Sequence, residues 1–194
     1  MSHSATLSTE RSDTCPVWVG YLLASRLRWL VHNPKRIIAP YIAPGMTVLD
    51  VGSAMGFFSL PAARAAGASG NVVCVDLQPK MLEVLKRRAR RRGLLERLEL
   101  RACTAVDLGL ADLEGQVGFA LAFAMVHEAA DPARLLEQIA KTLRKDGRLL
   151  VAEPNGHVSS QAFADTVVAA EQAGLRLLER PKISWSRSAL FAPR

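Results

Sequence analysis

The stretch Val48-Leu49-Asp50-Val51-Gly52-Ser53-Ala54-Met55-Gly56-Phe57-Phe58-Ser59 constrains this chain more than any other part of it. An apolar run ends in an acid, small residues recur at every second position, and a helical pattern begins at once. That layout predicts a strand, a tight turn, and a helix whose first N–H groups face a nucleotide-like ligand at the strand tip. Two glycine spacings compete for it. The dinucleotide-binding turn, G-x-G-x-x-G, needs a third glycine where helix and strand pack closely; counted from Gly52, that slot holds Phe57. A bulky ring does not serve there, which disfavours a dehydrogenase. The spacing acid-x-G-x-G-x-G fits instead as Asp50, Gly52, Ala54 and Gly56, with alanine in the middle slot.

The chain downstream repeats the strand–loop–helix rhythm. A second apolar strand, Val72-Val73-Cys74-Val75, ends in Asp76, where an acid can accept hydrogen bonds from both ribose hydroxyls of an adenosine. Leu77 then stands where it can cover an adenine face, and Gln78-Pro79 opens a helix. A third strand, Leu98 to Ala102, leads into Cys103-Thr104-Ala105. The fourth, Phe119 to Ala124, runs into Met125-Val126-His127-Glu128 and then Asp131-Pro132. The fifth, Arg148 to Glu153, follows Lys145-Asp146-Gly147 and ends at Pro154.

Together these segments resemble the class I S-adenosylmethionine (SAM) dependent methyltransferases, in a small bacterial or archaeal form, over about residues 40 to 192. Asp50–Gly56 is similar to the family's motif I, and the post-strand histidine and the Lys-x-Gly, strand, Glu-Pro cadence match as well. The resemblance implies an α/β, Rossmann-like three-layer sandwich with a seven-stranded, mostly parallel sheet whose last strand is antiparallel. It implies SAM as cofactor and S-adenosylhomocysteine as product. The cofactor would run along Asp50, Gly52, Ser53, Ala54, Gly56 and Phe57, then Asp76, Leu77 and Gln78, then Cys103, Thr104 and Ala105, and reach Phe123 and Ala124. Asp50 would face the cationic amino acid moiety. Where relatives often carry an acid for the adenine amino group this chain has Thr104, so that contact falls to Thr104 or a backbone group, with Asp107 the alternative.

Composition agrees with one globular domain: 194 residues, 49% hydrophobic and 22% charged. No apolar stretch reaches the length of a membrane span, since Val17 to Val31 is broken by Arg26 and Arg28. Residues 1–14 read as a flexible tail without a secretory signal, residues 15–44 as a helical lid rich in Trp18, Tyr21, Trp29 and leucines, and residues 45–194 as the core. The expected location is cytoplasmic, with Cys15, Cys74 and Cys103 as reduced thiols. Helices are predicted over Phe57–Ala66, Pro79–Arg92 and Asp131–Leu143, and from Ser159 or Ser160 to Gly174, with a closing hairpin of Leu175–Arg180 and Arg187–Phe191.

Methyl transfer from a sulfonium needs alignment and, for a protonated acceptor, a base. His127, with Glu128 beside it, is the candidate base, and His157 is a second histidine aimed at the same mouth. Cys15, His127, Glu128 and His157 would make a chemically sensible metal set, but their spacing is unremarkable and no metal is assigned. With no long insertion after the fourth or fifth strand, a small-molecule acceptor is the first expectation. The net charge of +7 and the run Lys86-Arg87-Arg88-Ala89-Arg90-Arg91-Arg92 support an alternative, an RNA (tRNA or rRNA) methyltransferase. That run lacks interleaved aromatics for base stacking. A third reading is a SAM-binding module without catalysis.

Overall fold

A computed structural model describes residues 31–194. The strands are β1 (Thr47–Val51), β2 (Asn71–Asp76), β3 (Leu98–Ala102), β4 (Val117–Phe123), β5 (Leu143–Pro154), β6 (Leu175–Glu179) and β7 (Ser186–Pro193). The helices are α1 (Pro34–Ile37), α2 (Ser59–Ala66), α3 (Pro79–Arg90), α4 (Pro132–Thr142) and α5 (Ser160–Gln172). One sheet holds all seven strands in the order β3-β2-β1-β4-β5-β7-β6. β1 through β5 pair in parallel, and β7 runs antiparallel to both β5 and β6. The expected seven-stranded α/β sandwich is the one observed. The closing hairpin of β6 and β7 forms too, with β7 between β5 and β6, so β6 is the edge.

The central strands β1, β2 and β4 are buried along nearly their whole length. Such strands need helices on both faces. Side chains alternate across the sheet, so Leu49 and Val51 point to the face covered by α4 and α5, through Leu135, Leu136, Ile139, Phe163 and Val167. Val48, Val72 and Phe119 point to the other face, covered by α2 and α3 through Leu60, Ala63, Leu82 and Leu85. Tyr41 stacks on Phe119 with ring centroids 5.5 Å apart, closing that layer.

Local signals set most helix starts. Asp131 caps α4 by accepting from the Arg134 N–H at 3.0 Å, with Pro132 in the first turn. Ser159, the first of the two candidate serines, caps α5 by accepting from the Ala162 N–H at 3.1 Å. α2 begins two residues later than predicted, because Phe57 and Phe58 belong to the turn and pack their rings edge to face, 5.0 Å apart. β5 begins earlier than predicted. Its ladder with β4 starts at Val117–Leu143, slips, and resumes at Phe119–Arg148. Lys145-Asp146-Gly147 therefore forms a bulge, and at Gly147 a Cβ would lie 2.9 Å from the Arg144 and Val117 carbonyl oxygens.

Candidate functional site

In an open sheet of this kind ligands sit at the carboxyl ends of the strands, and here those ends bring together the β1–α2 turn, Asp76, Cys103 and the β4–α4 loop. In the turn, Gly52, Ala54 and Gly56 all take positive φ, at 71°, 46° and 80°. The small-residue spacing thus has a backbone cause. At Gly56 a Cβ would lie 2.2 Å from Leu85 Cδ1, so this glycine admits α3 against the turn. At Gly52 a Cβ would meet Met125 Cβ at 3.0 Å. Ala54 is the one member that carries a side chain in the left-handed region.

The turn is tied to β2 twice. The Gly52 and Ser53 N–H groups donate to the Val75 carbonyl at 2.9 and 3.0 Å. The Asp76 carboxyl then accepts from the Ala54 N–H on one oxygen and from the Gln78 N–H on the other, both at 2.8 Å. Each oxygen keeps a second acceptor direction, so the acid can serve the backbone and a ligand's hydroxyls together. Burial raises the Asp76 carboxyl above the ordinary aspartate range, and these two N–H bonds hold it back.

Other residues expected along the cofactor path fall as follows. Asp50 is 4% exposed and accepts a hydrogen bond from the Ser59 hydroxyl at 2.5 Å. Phe57 is buried, so its ring belongs to the core. Leu77 is 45% exposed beside Asp76, open to cover a planar ligand. The Cys103 N–H donates to the Asp76 carbonyl at 3.1 Å, and its thiol is pushed up to about 11, chiefly by burial and then by the Asp76 charge. Thr104 is exposed, and its hydroxyl accepts from the Asp107 N–H at 3.0 Å, which joins the two candidate adenine contacts in one turn. Ala105 is exposed next to it. Phe123 packs on Phe58 with ring centroids 4.6 Å apart, and Ala124 leaves β4 with φ at 56°.

Of the residues expected to face an acceptor, His127 and Glu128 lie on a single 3₁₀ turn, Val126–Glu128. His127 Nδ1 bonds Glu153 Oε2, and the same carboxyl accepts from the Val126 N–H at 2.8 Å. His127 Nε2 stands 4.0 Å from Glu128 Oε1, and the ring lies 6.1 Å from that of His157. The Glu128 carboxyl is raised above its ordinary range, first by burial; the His127 charge opposes this, while Glu153 and Asp76 add to it. The two distances bring Glu128, His127 and His157 together after β4 and β5. Of the metal set considered from the sequence, Cys15 lies outside the described residues.

Sequence reasoning missed three contributors. In the sequence Glu153 reads as the end of β5 and as part of the Glu-Pro cadence, with no partner for its carboxyl, although an acid closing an apolar run is itself a signal. Met125 covers Gly52. Arg88 donates to the Met55 carbonyl at 2.5 Å. The basic run therefore has one member on the turn itself, where none was expected. Its exposed cations, Lys86, Arg87, Arg90, Arg91 and Arg92, follow α3 as it runs from the carboxyl end of β2 back to the amino end of β3. Most of the predicted lid, residues 15–30, lies outside the described residues. Of its remainder, His32 bonds the Ser184 carbonyl at 2.9 Å and sets its ring edge against Phe123, 5.2 Å away.

The residues present fit a nucleoside-bearing, amino-acid-like ligand. Three left-handed positions bring backbone to the surface of the turn, Asp76 has acceptor capacity left, and the buried Ser53 hydroxyl has no hydrogen-bond partner among the described residues. An unpaired buried hydroxyl is costly unless a ligand meets it.

Comparison with known proteins shows the family and the fold. Residues 42–182 match the sequence profile of a family described as a methyltransferase domain. An arsenite methyltransferase of Halobacterium salinarum is 31% identical over 135 residues, 70% of this chain and 32% of that protein. A ubiquinone biosynthesis O-methyltransferase of Caulobacter vibrioides is 32% identical over 120 residues, 62% of this chain and 45% of that protein. The chain thus spans less than half the length of these curated relatives. In fold, it superposes on a SAM-dependent methyltransferase of Aquifex aeolicus with a TM-score of 0.83 at 20% identity, covering 93% of this chain and all of that one. No helix among the described residues is long and apolar enough to cross a membrane.

Proposed function

This chain belongs to the methyltransferase-domain family of class I SAM-dependent methyltransferases, with SAM as cofactor, and from that premise we propose that it methylates a small-molecule acceptor and releases S-adenosylhomocysteine. The observation that carries the reading is the β1–α2 turn locked onto the Asp76 carboxyl through Ala54. Two acceptor directions of Asp76, the Ser53 hydroxyl and the backbone of Gly52–Gly56 would hold the ribose and amino acid parts. Leu77, Gln78, Cys103, Thr104 and Ala105 would border the adenine, and Phe123 and Ala124 would floor the methyl end. Asp50 would act through its field, since Ser59 already holds one of its oxygens. When bound, SAM supplies a methyl group on a positively charged sulfur, an electrophile that needs no further activation.

The chain's own contribution is orientation and proton removal. His127 is the base in this reading, with Glu128 and His157 at the same mouth. The names of the two relatives, for arsenite and for ubiquinone biosynthesis, support a small acceptor. The alternative of RNA as acceptor has the exposed cations of α3 in its favour, yet they lie on the helix that leads into the edge strand β3, whereas His127 follows the central strand β4. Replacement of His127 by Ala tests the assignment. Binding of S-adenosylhomocysteine should persist while methyl transfer falls by about a hundredfold or more; undiminished transfer would remove His127 as the base.

A further inference from the structure

We infer that the outer face of α3 is a docking surface for the phosphate backbone of double-stranded nucleic acid, separate from the site that would hold SAM and the acceptor. The inference goes beyond the proposed function and does not rest on it.

The apolar residues of α3, Met81, Leu82, Val84, Leu85 and Ala89, are all buried. Residues three and four apart share a helix face, so the exposed Lys86, Arg87 and Arg90, with Arg91 at the C-cap, form one strip on the other side. Among the described residues none of these four makes an ion pair, and neither do Glu83 and Glu96, the acids of this stretch. By contrast, Arg101, Lys141 and Arg144 each meet a carboxylate within 3.1 Å. The strip continues onto α2. Arg97 donates to the Ala63 carbonyl at 3.4 Å, which sets the exit from α3 against the last turn of α2, where Arg64 is exposed.

Ordinary roles account for part of this charge. Arg88 turns inward to the Met55 carbonyl, and Arg92 donates to the Arg88 carbonyl at 3.2 Å. A helix C-terminus carries about half a unit of negative charge, which calls for one cation and leaves the rest of the strip unanswered. Such an excess, fixed on a rigid helix, attracts polyanions. Three of the four cations are arginines, whose planar forks pair bidentately with phosphate oxygens.

The surroundings decide which polyanion fits. A lipid surface takes up apolar side chains, but the exposed large hydrophobics among the described residues are Val31, Leu77, Val106, Val168, Leu178 and Trp185, none of them on α3. Single strands are held by bases stacked on aromatic rings, and no aromatic residue lies between Lys86 and Arg97. What remains is the sequence-independent backbone of a duplex. Leu85 and Arg88 are the α3 residues that reach the β1–α2 turn, so the strip and the turn lie on different sides of the helix.

Fluorescence anisotropy of the full chain with a short labelled duplex of mixed sequence, as DNA and as RNA, tests the surface. With four phosphates engaged, the logarithm of affinity for DNA should fall with the logarithm of salt concentration at a slope of about −4. The variant carrying Arg87→Gln, Arg90→Gln and Arg91→Gln should lower that slope to about −1 and weaken binding at low salt about tenfold or more, with an unchanged unfolding temperature. Binding of either duplex supports the surface, and the tighter of the two names its source. Saturating S-adenosylhomocysteine should leave the affinity unchanged; displacement would overturn the separation of the two surfaces. No binding of either duplex by the wild type overturns the inference whether or not the variant folds. So does tighter binding of the corresponding single strand, equal binding by the folded variant, or binding of anionic phospholipid vesicles in place of both duplexes.

Discussion

The Ala54 N–H donates to the Asp76 carboxyl at 2.8 Å, which makes the glycine turn after β1 and the acid after β2 one unit. A residue expected to touch a ligand also holds the turn on which that ligand is proposed to lie. Replacing Asp76 by Ala should therefore weaken S-adenosylhomocysteine binding by about 1–3 kcal/mol through lost hydrogen bonds to a charged group. Calorimetric titration measures this, and an unchanged affinity would dissolve the placement of the ribose at Asp76.

The same acid sets a pH dependence. Burial raises its carboxyl in the folded protein, against the Gln78 and Ala54 N–H bonds. The raised value favours the protonated form, so this group's contribution to stability is present at acid pH and is lost as pH rises through its folded value. Ligand binding has the opposite preference, because the ionised acid is the better acceptor. Affinity for S-adenosylhomocysteine should fall on acidification, starting above the ordinary aspartate range. A decline that begins only within that range would contradict the burial of this carboxyl.

Two turn substitutions should act in opposite directions. Ala54 holds φ at 46°, which costs a residue with a Cβ about 1–2 kcal/mol, so Ala54→Gly should stabilise the fold by about 0.5–1 kcal/mol after the added chain entropy. Gly56→Ala pushes a methyl to 2.2 Å from Leu85 Cδ1 and should destabilise it by about 1–3 kcal/mol, before any left-handed strain. Denaturant unfolding of both variants gives the signs. Equal midpoints would mean that the turn relaxes freely.

Cys103 offers a chemical probe of the adenine side. With its thiol pushed up to about 11, alkylation by iodoacetamide should be slow at neutral pH and keep rising toward that value. S-Adenosylhomocysteine should slow it further. Rapid modification near neutrality would show a thiolate that burial and Asp76 do not permit.

What was legible in the sequence was local. Gly52, Ala54 and Gly56 advertise a turn because each occupies a backbone position that penalises a side chain. Asp131-Pro132 and Ser159 announce their helices through bonds spanning one turn. The Lys145-Asp146-Gly147 bulge was hidden, since its composition is that of a connecting loop and only pairing with β4 makes it strand. Glu153 and His127 are separated by 26 positions, and Arg88 and Met55 by 33. Such contacts depend on which strands become neighbours, and no spacing along the chain encodes them. The turn and its acid at Asp76 are thus legible in outline, whereas the acid that holds His127 is not.

The most direct measurement is calorimetric titration of the protein with S-adenosylhomocysteine, with NAD in parallel. The account predicts micromolar binding of S-adenosylhomocysteine and none of NAD, because Phe57 fills the slot that a dinucleotide turn leaves to glycine. Binding of NAD without S-adenosylhomocysteine would contradict the account at its base.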